Sequence, residues 1–243
     1  MESLNIVGAA TLPWGDKYLC WGDDMGLDIL TGRSPFEVKE QRFLLKHLEE
    51  GMVFYDVGAH HGLYTLLASY KVGEPGLVVA FEPSGRERAV LKRNVEATGR
   101  RNVRIEPSAA SDYDGVGELH SLSYGTGLNY LARSLDGRGV NVNTLRVDTY
   151  TATNPPPSVI KMDVEGSEVF ALRGAEETLK QHKPLLLVEL HEDHANRLGY
   201  SATETRSYVE RLGYTWKQAD EEGGLTEPDW GRRLSHTLFA VPT

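Results

Sequence analysis

The sequence predicts an α/β fold organised around a doubly wound, mainly parallel β-sheet. Apolar runs and amphipathic segments alternate along most of the chain after residue 52, which is typical of strand–helix units with helices on both faces of a sheet. Two apolar runs near the end, 214–216 and 237–241, predict an antiparallel pair that closes the sheet. Ligands bind such sheets at the carboxyl ends of the strands, so the fold class also predicts where a site lies.

The stretch 52–69 predicts a strand of this sheet, a glycine turn and a helix. Residues 52–55 are mainly apolar, Asp56, Gly58 and Gly62 follow, and leucine and tyrosine residues then recur at helical spacing. Glycine allows the backbone to come close to a ligand, and the N–H groups at a helix N-terminus favour an anionic group. The spacing indicates a ligand-binding turn. The alternative is an ordinary strand–helix turn whose glycines serve packing.

This turn differs from a dinucleotide-binding fingerprint. The GxGxxG pattern needs two further glycines where the chain has His60 and Leu63. Asp56 precedes the first glycine, and its charge would repel a pyrophosphate but would favour a positively charged group, such as the amino group of a methionine-derived cofactor. We therefore hypothesise that Asp56, Gly58 and Gly62 hold the amino-acid end of S-adenosylmethionine (SAM).

Glu82 ends a second predicted strand, residues 77–81. Pro83 and Ser84 follow, and Ser84 with Glu87 predicts a capping box for the next helix. A carboxylate at this position can accept both hydroxyl protons of a ribose, as it does in nucleoside-cofactor folds. The alternative is an acid stabilised by the helix dipole. The first motif favours the ribose role.

A third predicted strand, residues 102–105, leads into a loop of small residues, 108–112. Small side chains such as Ser111 would let an adenine lie against the backbone, and Asp112 could accept a hydrogen bond from its exocyclic amine. Asp112 fits equally well as a turn acid, because Gly115 follows shortly. Both interpretations stay open.

Two later predicted strands also end in polar residues. Residues 159–162 are followed by Asp163, and residues 185–190 contain Glu189 and are followed by His191. Any one acid at a strand end has a mundane explanation. A set of them at equivalent positions is the strongest functional signal in the chain, and it places the predicted site at the carboxyl edge of the sheet.

The composition limits the partners and the compartment. The 243 residues carry 26 Lys and Arg against 35 Asp and Glu, a net charge of −9, which disfavours binding to a nucleic-acid backbone or an anionic membrane. Cys20 is the single cysteine, so the chain can form neither an internal disulfide nor a thiolate metal cage. No membrane-spanning run or signal-peptide pattern occurs in the sequence, and we expect a cytoplasmic protein.

The chain is predicted to divide into a short extension, residues 1–35, and one domain, residues 36–243. In the extension, residues 18–21 and 27–30 predict a hairpin around Gly22. We expect this extension to cap a pocket for the substrate that accepts the transferred group.

Three further segments have simpler predictions. Residues 36–50 predict an amphipathic helix, and residues 115–145 predict strands joined by loops. Residues 221–234 form a polar loop, which is either a lid over the site or a surface excursion.

At these motifs the chain resembles the FkbM-type family of SAM-dependent methyltransferases. Residues 56–62, DVGAHHG, are similar to the family's DVGAxxG motif, and residues 79–83, VAFEP, are similar to its second strand. The most specific similarity is IKMDVEGSE at 160–168 together with LRGA at 172–175.

The resemblance covers roughly residues 36–241. It implies a seven-stranded Rossmann-like methyltransferase sheet with an antiparallel C-terminal strand and a short N-terminal strand/helix extension. It also implies SAM as the cofactor and methylation of a hydroxyl on a sugar or a secondary metabolite. His60 departs from the pattern, because the family often has a small residue or Asn there. The predicted cofactor-binding residues are Asp56, Gly58, Ala59, His60, Gly62, Glu82, Pro83, Ser111, Asp112 and Asp163.

Two residues are candidates for the chemistry. A hydroxyl nucleophile benefits from a base, and His191 is the first candidate because an imidazole titrates near neutrality. Asp163 is the second, as the base or as the group that orients the base or the SAM amine. Asp163, Glu189 and His191 also have metal-ligand chemistry, but nothing in their spacing demands a metal, and we predict none.

Three functional classes stay open. The leading prediction is an O-methyltransferase whose partner is a hydroxyl acceptor on a small molecule or glycan, with no nucleic-acid or membrane partner and a homodimer as the candidate assembly. The second is a non-catalytic SAM-binding protein. The third is a nicotinamide-dependent oxidoreductase, which the missing GxGxxG pattern and Asp56 disfavour.

Overall fold

The computed structural model describes residues 6–22, 24–31, 37–121, 129–132, 137–230 and 235–243. The strands of this part are β1 (Ile6–Thr11), β2 (Lys17–Trp21), β3 (Val53–Val57), β4 (Leu77–Phe81), β5 (Val103–Glu106), β6 (Ala109–Ala110), β7 (Gly115–Ser121), β8 (Asn129–Ala132), β9 (Val140–Leu145), β10 (Val159–Met162), β11 (Leu185–His191), β12 (Tyr214–Ala219), β13 (Leu225–Thr226) and β14 (Ser235–Pro242). Its helices are α1 (Asp24–Thr31), α2 (Val38–His47), α3 (Leu63–Val72), α4 (Gly85–Thr98), α5 (Val147–Thr151), α6 (Glu168–Arg173), α7 (Glu176–His182), α8 (Glu192–Arg197) and α9 (Ala202–Arg211).

The main sheet of the described chain is mixed, in the order β13-β12-β14-β11-β10-β3-β4-β5. Five neighbouring strands of this sheet run parallel: β5, β4, β3, β10 and β11. β14 lies antiparallel to β11, and β12 lies antiparallel to β14. The predicted count of seven strands needs correction, because the two-residue strand β13 pairs with β12 at the edge. Asp220 accepts the N–H groups of Glu222 and Gly224, and this tight turn folds the chain back along β12.

The strand order creates a crevice beside β3. The chain passes from β3 to β4 and β5 on one side, and it then returns to β10 on the other side of β3. The connections that follow β3 and β10 therefore diverge at the carboxyl edge of the sheet. Such a switch point is where open α/β sheets bind their ligands.

Helices cover both faces of the main sheet because both faces are apolar. In β3, Phe54 belongs to a core with Phe43 of α2 and Leu67 of α3, whereas Tyr55 belongs to the opposite core with Leu172 of α6. Neighbouring residues of a strand point to opposite faces, so two covered faces require the continuous apolar runs that the sequence shows.

A separate four-stranded sheet, in the order β6-β9-β7-β8, occupies the segment that was predicted as strands joined by loops. β7 pairs antiparallel with both β8 and β9. The Glu118 carboxylate on β7 accepts the N–H groups of Gly137 and Gly139, which ties the start of β9 to this sheet. Residues 122–128 and 133–136 of the same segment lie outside the described residues.

The predicted N-terminal hairpin pairs β2 with the wrong segment. β2 pairs antiparallel with β1, and residues 27–30 belong to helix α1. Ile29 and Leu30 of this helix pack with Tyr18 and Cys20 of β2. The apolar run that suggested a strand is therefore part of a helix whose Ile29 and Leu30 are partly buried, and the pattern of a short run cannot distinguish a strand from a helix.

The extension packs on the domain. Tyr18 and Cys20 share a core with Leu66 of α3. The two terminal guanidinium nitrogens of Arg100, Nη1 and Nη2, donate to the carboxylate of Asp16 at 2.5 and 2.7 Å. The predicted boundary between residues 35 and 36 lies outside the described residues, and the capping role of the extension stays a prediction.

The predicted helices are present, but the capping box of α4 is wrong. The Ser84 hydroxyl donates to the Glu87 carboxylate, and it accepts no backbone N–H of the helix. A hydrogen bond to a charged carboxylate is stronger than one to a neutral group, which explains the preference. No helix within the described ranges is long and apolar enough to cross a membrane.

The described part of the predicted loop 221–234 is fastened to α2. Arg42 donates to the carbonyl oxygen of Glu221 at 2.5 Å, and Lys39 pairs with the Glu221 carboxylate at 2.7 Å. Residues 231–234 lie outside the described residues, and a lid function stays a prediction.

Candidate functional site

The turn after β3 is closely packed against neighbouring protein atoms. Gly58 has a φ of +81°, and a Cβ on it would lie 1.9 Å from the carbonyl oxygen of Asp163. Gly62 has a φ of +92°, and its Cβ would lie 2.4 Å from Leu91 Cδ1. Packing therefore requires both glycines, whatever ligand the turn binds.

The backbone of this turn is also tied to β4. The N–H groups of Gly58 and Ala59 both donate to the carbonyl oxygen of Phe81 at 3.0 Å. The buried Ala59 side chain packs with Ala80 and Leu91. The turn is consequently rigid, and it holds the end of β3 against the end of β4.

Asp56 is enclosed beneath the turn. Its side chain is fully buried, Oδ2 accepts a hydrogen bond from Thr65 Oγ1 at 2.6 Å, and Oδ1 lies 3.9 Å from Lys161 Nζ. Burial raises the pKa of Asp56, and the charge of Lys161 and the hydrogen bond from Thr65 oppose this shift. Protein side chains thus surround the carboxylate that was predicted to hold the amino-acid end of the cofactor.

His60 adopts a left-handed backbone conformation with a φ of +50°. Asn, Asp and His are the residues other than glycine that adopt this conformation most often. The His60 ring stacks on His61 at 3.7 Å, and burial lowers the pKa of His60 to about 4 and that of His61 to about 2. The buried Nε2 of His60 has no hydrogen-bond partner among the described residues, so it is available to a ligand.

Glu82 lies at the end of β4 and faces the same turn. Its Oε2 accepts the N–H of His60 and its Oε1 accepts the N–H of Ser84, both at 2.8 Å. Burial raises the pKa of Glu82 to about 7. Each oxygen keeps a second lone pair, which can accept a ribose hydroxyl. The next residue, Pro83, is fixed by its carbonyl oxygen, which accepts from Arg88 Nη1 at 2.8 Å.

Ser111 and Asp112 have different surroundings. Ser111 is fully buried, and a Cβ on Gly174 would lie 1.8 Å from its carbonyl oxygen. Its hydroxyl donates to Asp112 Oδ1 at 3.4 Å, and Asp112 is partly exposed. Ser111 therefore serves the packing of the loop, and the adenine contact of Asp112 stays a prediction.

Lys161 joins the ends of β3 and β10. It lies opposite Asp56 in the register of the two strands, and its Nζ is 3.1 Å from Asp163 Oδ2. Burial would lower the pKa of Lys161, but the charges of Asp163, Asp56 and Glu37 outweigh it and raise that pKa. Burial likewise opposes ionisation of Asp163, yet Lys161 and a hydrogen bond from Glu189 lower its pKa. The pair is therefore an ammonium and a carboxylate.

Glu189 on β11 completes this strand end. The charge of Asp163, followed by burial, raises the pKa of Glu189 well above its usual value. Two carboxyl groups in contact do not both ionise readily, so Glu189 stays protonated and its O–H donates a hydrogen bond to Asp163. Asp163 is then held by a cation and by an acid, which suits an orienting group better than a proton acceptor.

His191 lies at the end of β11, on the same face of the strand as Glu189. Its ring stacks on His194 with the centroids 3.7 Å apart, and His194 Nδ1 is 3.0 Å from Glu165 Oε2. The three residues form a row that begins at the edge of the sheet, and this row fixes the plane of the His191 ring.

Two groups within the described ranges have the side-chain types of a metal site. The ligand atoms of Asp163, Glu165 and Glu189 lie within 4.8 Å of one another, so Glu165 takes the place that the sequence suggested for His191. The second group is His60, His61 and Glu87. Lys161 already supplies a positive charge to the first group, and the predicted absence of a metal stays a prediction.

The sequence analysis missed Glu37, Tyr64 and the role of Lys161. The Tyr64 hydroxyl donates to Glu37 Oε2 at 2.6 Å, and Lys161 Nζ lies 5.0 Å from the centroid of the Tyr64 ring. Burial, followed by the charge of Asp163, raises the pKa of Glu37 to about 7. Only Lys161 carried a visible signal, because a lysine in an otherwise apolar buried strand needs a partner.

This donor set fits a nucleoside that carries a positively charged group. Glu82 can accept ribose hydroxyls, and Glu37 and Asp163 add negative charge near the turn. A pyrophosphate would meet these carboxylates instead of the glycine-rich cradle and cations that it requires. The side chains are therefore consistent with SAM as the ligand.

A family profile described as "Methyltransferase FkbM domain" matches residues 56–215. The chain is also 28% identical over 152 residues to the hexuronic acid methyltransferase AglP of Haloferax volcanii. That alignment covers 62% of this chain and 60% of the Haloferax protein.

Solved structures share the fold. The crystal structure of methyltransferase FkbM from Methylobacillus flagellatus matches with 18% identity and a TM-score of 0.50, over 78% of this chain and 43% of that chain. A putative rRNA methylase from Clostridium thermocellum matches with 11% identity and a TM-score of 0.53, over 84% and 93% of the two chains. The matched region thus spans less than two thirds of the Haloferax and Methylobacillus proteins.

Proposed function

Because the chain belongs to the FkbM methyltransferase family, we propose that it is a SAM-dependent methyltransferase acting on a hydroxyl of a sugar, a glycan or another small molecule. The observation that carries the proposal is the group of carboxylates at the neighbouring ends of β3, β4 and β10 around a rigid glycine turn. Glu82 and Asp163 directly follow β4 and β10, whereas Asp56 lies two positions deeper in the sheet, opposite Ala80 and Lys161.

In this proposal the cofactor lies along the carboxyl edge of the sheet. Glu82 accepts the ribose hydroxyls, His60 Nε2 faces the ligand, and Asp112 accepts from the adenine amine. Asp163 lies at the amino-acid end. When bound, SAM supplies a methyl group that its sulfonium activates for displacement.

The acceptor side of the proposed site is the end of β11. The chain has to hold an acceptor oxygen in line with the methyl group, exclude water and remove the hydroxyl proton. His191 is the proposed base, because the stacked His194 fixes its ring at the strand end. Asp163 orients the neighbouring groups, since Lys161 and Glu189 already hold its carboxylate.

The relative from Haloferax supports a carbohydrate as the first acceptor class to test. That protein is named a hexuronic acid methyltransferase, and the alignment covers 62% of this chain. Hexuronic acids and the corresponding neutral hexoses are therefore the natural first panel. The alternative function is a non-catalytic SAM-binding protein, which would keep the cofactor acids without turnover.

Calorimetric titration tests the cofactor assignment. We expect the purified protein to bind SAM and S-adenosylhomocysteine with micromolar affinity and to show no comparable binding of NAD(H) or NADP(H). Binding of a nicotinamide cofactor instead would contradict the proposal. Incubation with methyl-labelled SAM and the sugar panel then separates a methyltransferase from a protein that only binds SAM, because label appears in the acceptor only with the former.

A further inference from the structure

Asp56, which the motif predicted to bind the amino group of the cofactor, is deeply buried. The Asp56 side chain is 1% exposed. Its Oδ2 accepts a hydrogen bond from Thr65 at 2.6 Å, and its Oδ1 lies 3.9 Å from Lys161 Nζ, without a hydrogen bond to any described residue. An ammonium group that reached it would have to displace Lys161, which carries the same charge. Asp56 is therefore better explained as the counter-ion of a buried lysine.

Two other carboxylates lie closer to solvent on the other side of Lys161. The Asp163 side chain is 27% exposed, whereas that of Lys161 is 6% exposed. Glu37, just before α2, is also only partly buried. Exposure thus increases from Asp56 through Lys161 to Asp163, and the negative groups that a bound molecule can reach are Asp163 and Glu37.

Glu37 and Asp163 are neighbours of the same side chains. Lys161 contacts Asp163 at 3.1 Å and lies over the Tyr64 ring, and the Tyr64 hydroxyl donates to Glu37. The charge of Asp163 acts on Glu37 strongly enough to oppose its ionisation. Lys161 supplies one positive charge to three carboxyl groups, Asp163, Asp56 and Glu37, so a second cation beside Asp163 and Glu37 is electrostatically favourable.

We propose that the ammonium group at the amino-acid end of SAM binds between the carboxylates of Glu37 and Asp163, and that Asp56 does not contact it. The inference rests on the proposed function, because it assumes that SAM is the ligand. It gives a binding role to Glu37, which lies outside the 56–215 region that the family profile matches. Glu37 is the N-cap residue of α2 and has a left-handed backbone with a φ of +45°.

The test compares two ligands that differ only in the amino group. One is S-adenosylhomocysteine, and the other is its analogue in which hydrogen replaces the amino group. Both are titrated calorimetrically into the wild type and into Glu37→Gln, which keeps the size of the side chain and an oxygen that accepts from Tyr64. Glu49→Gln is the matched control, because Glu49 follows the same helix and its side chain is exposed.

We expect Glu37→Gln to lower the affinity for S-adenosylhomocysteine by about 10- to 100-fold, the usual effect of losing a hydrogen bond to a charged group. The affinity for the deaminated analogue should stay within about twofold of the wild type, which also shows that the variant is folded. Glu49→Gln should bind both ligands as the wild type does.

A second readout is the proton balance. Glu37 faces Asp163, Lys161, Tyr64 and Glu40, and its pKa of about 7 in the free protein should fall when an ammonium group binds beside it. Binding of S-adenosylhomocysteine near pH 7 should therefore release protons, seen as a dependence of the heat on the ionisation enthalpy of the buffer. The deaminated analogue, which keeps the ribose at Glu82, should release fewer.

The outcomes separate this inference from the proposed function. If the wild type binds neither ligand, the proposed function and this inference both fail. If the wild type binds S-adenosylhomocysteine and Glu37→Gln weakens both ligands equally or neither, the amino-group assignment is wrong and the proposed function stands. If Asp56→Asn lowers the affinity for S-adenosylhomocysteine but not for the deaminated analogue, and Glu37→Gln changes neither affinity, then Asp56 is the residue that binds the amino group.

Discussion

The ends of β3 and β10 are neighbours in the sheet, yet their acids are held in opposite ways. At the end of β3, Asp56 is fully buried and bonded to Thr65, and the following glycine turn is packed against protein atoms. At the end of β10, Asp163 is partly exposed and accepts a hydrogen bond from Glu189. Lys161 lies between the two carboxylates and forms an ion pair with each of them.

The difference teaches that a conspicuous motif can be the support of a site and not its contact surface. The β3 end fixes the position of a lysine and of a turn. The β10 end keeps a carboxylate partly exposed to solvent, where it can act on a ligand. Four changes test this division, and they are ordered from the largest expected effect to the smallest.

The contact between the two strand ends depends most on Gly58. Gly58→Ala should prevent native folding or destabilise the protein by about 4 kcal/mol or more, because the new Cβ would overlap the Asp163 carbonyl oxygen and the backbone φ is positive. Urea unfolding followed by circular dichroism measures the loss. Gly99→Ala is the matched control. Gly99 has a φ of +70° but nothing within 4 Å of the added Cβ, so its cost should be about 1 kcal/mol. Equal losses at the two positions would contradict the close contact.

The shared lysine comes next. Lys161→Met should destabilise the protein by about 3 kcal/mol, because it leaves Asp56 buried without its cation and Asp163 beside Glu189 without compensation. Thermal and urea unfolding check this value. Lys180→Met removes an exposed lysine that pairs with Glu176 and Glu177, and it should destabilise the protein far less than Lys161→Met, because solvent screens this ion pair. Adding Asp56→Asn to Lys161→Met should restore part of the lost stability, and no recovery would argue against the pairing.

The acceptor side is tested through His191. Once an acceptor has been found, His191→Ala should lower turnover by about 100-fold, equivalent to ~2.7 kcal/mol, because it removes the proposed base. The affinity for SAM should stay nearly unchanged, since the proposed cofactor contacts do not include His191. His47→Ala, at the far end of α2, is the control for removal of an imidazole. Unchanged turnover in His191→Ala would remove this residue from the mechanism.

The pH dependence of stability tests the burial of Glu82. Its pKa is about 7 in the folded protein against a usual value of 4.5, so folding takes up a proton between these values. Its contribution to stability is therefore fully present below pH 4.5 and is lost as the pH rises through 7. The stability of the wild type minus that of Glu82→Gln should be larger at pH 5 than at pH 7.5, by on the order of 2 kcal/mol. A difference independent of pH would show that Glu82 is ionised across this range.

The sequence by itself determined the alternation of strands and helices, the position of the acids at strand ends and the family. These features depend on local periodicity, on turn residues and on short motifs, which are properties of neighbouring residues in the chain. The same reasoning was wrong about the partner of β2 and about the cap of α4. β2 pairs with the segment that precedes it instead of the one that follows, and the Ser84 hydroxyl donates to Glu87 instead of accepting a backbone N–H.

Only the tertiary structure decided which carboxylates are enclosed and which reach a ligand. Asp56 is buried because Thr65 of α3 and Lys161 of β10 close over it, and Glu37 joins the site because Tyr64 holds it there. Burial and charge depend on all the groups that pack around a side chain, and these come from segments far apart in the sequence. No local pattern contains that information, so the chemistry of a strand-end acid follows from its neighbours in space.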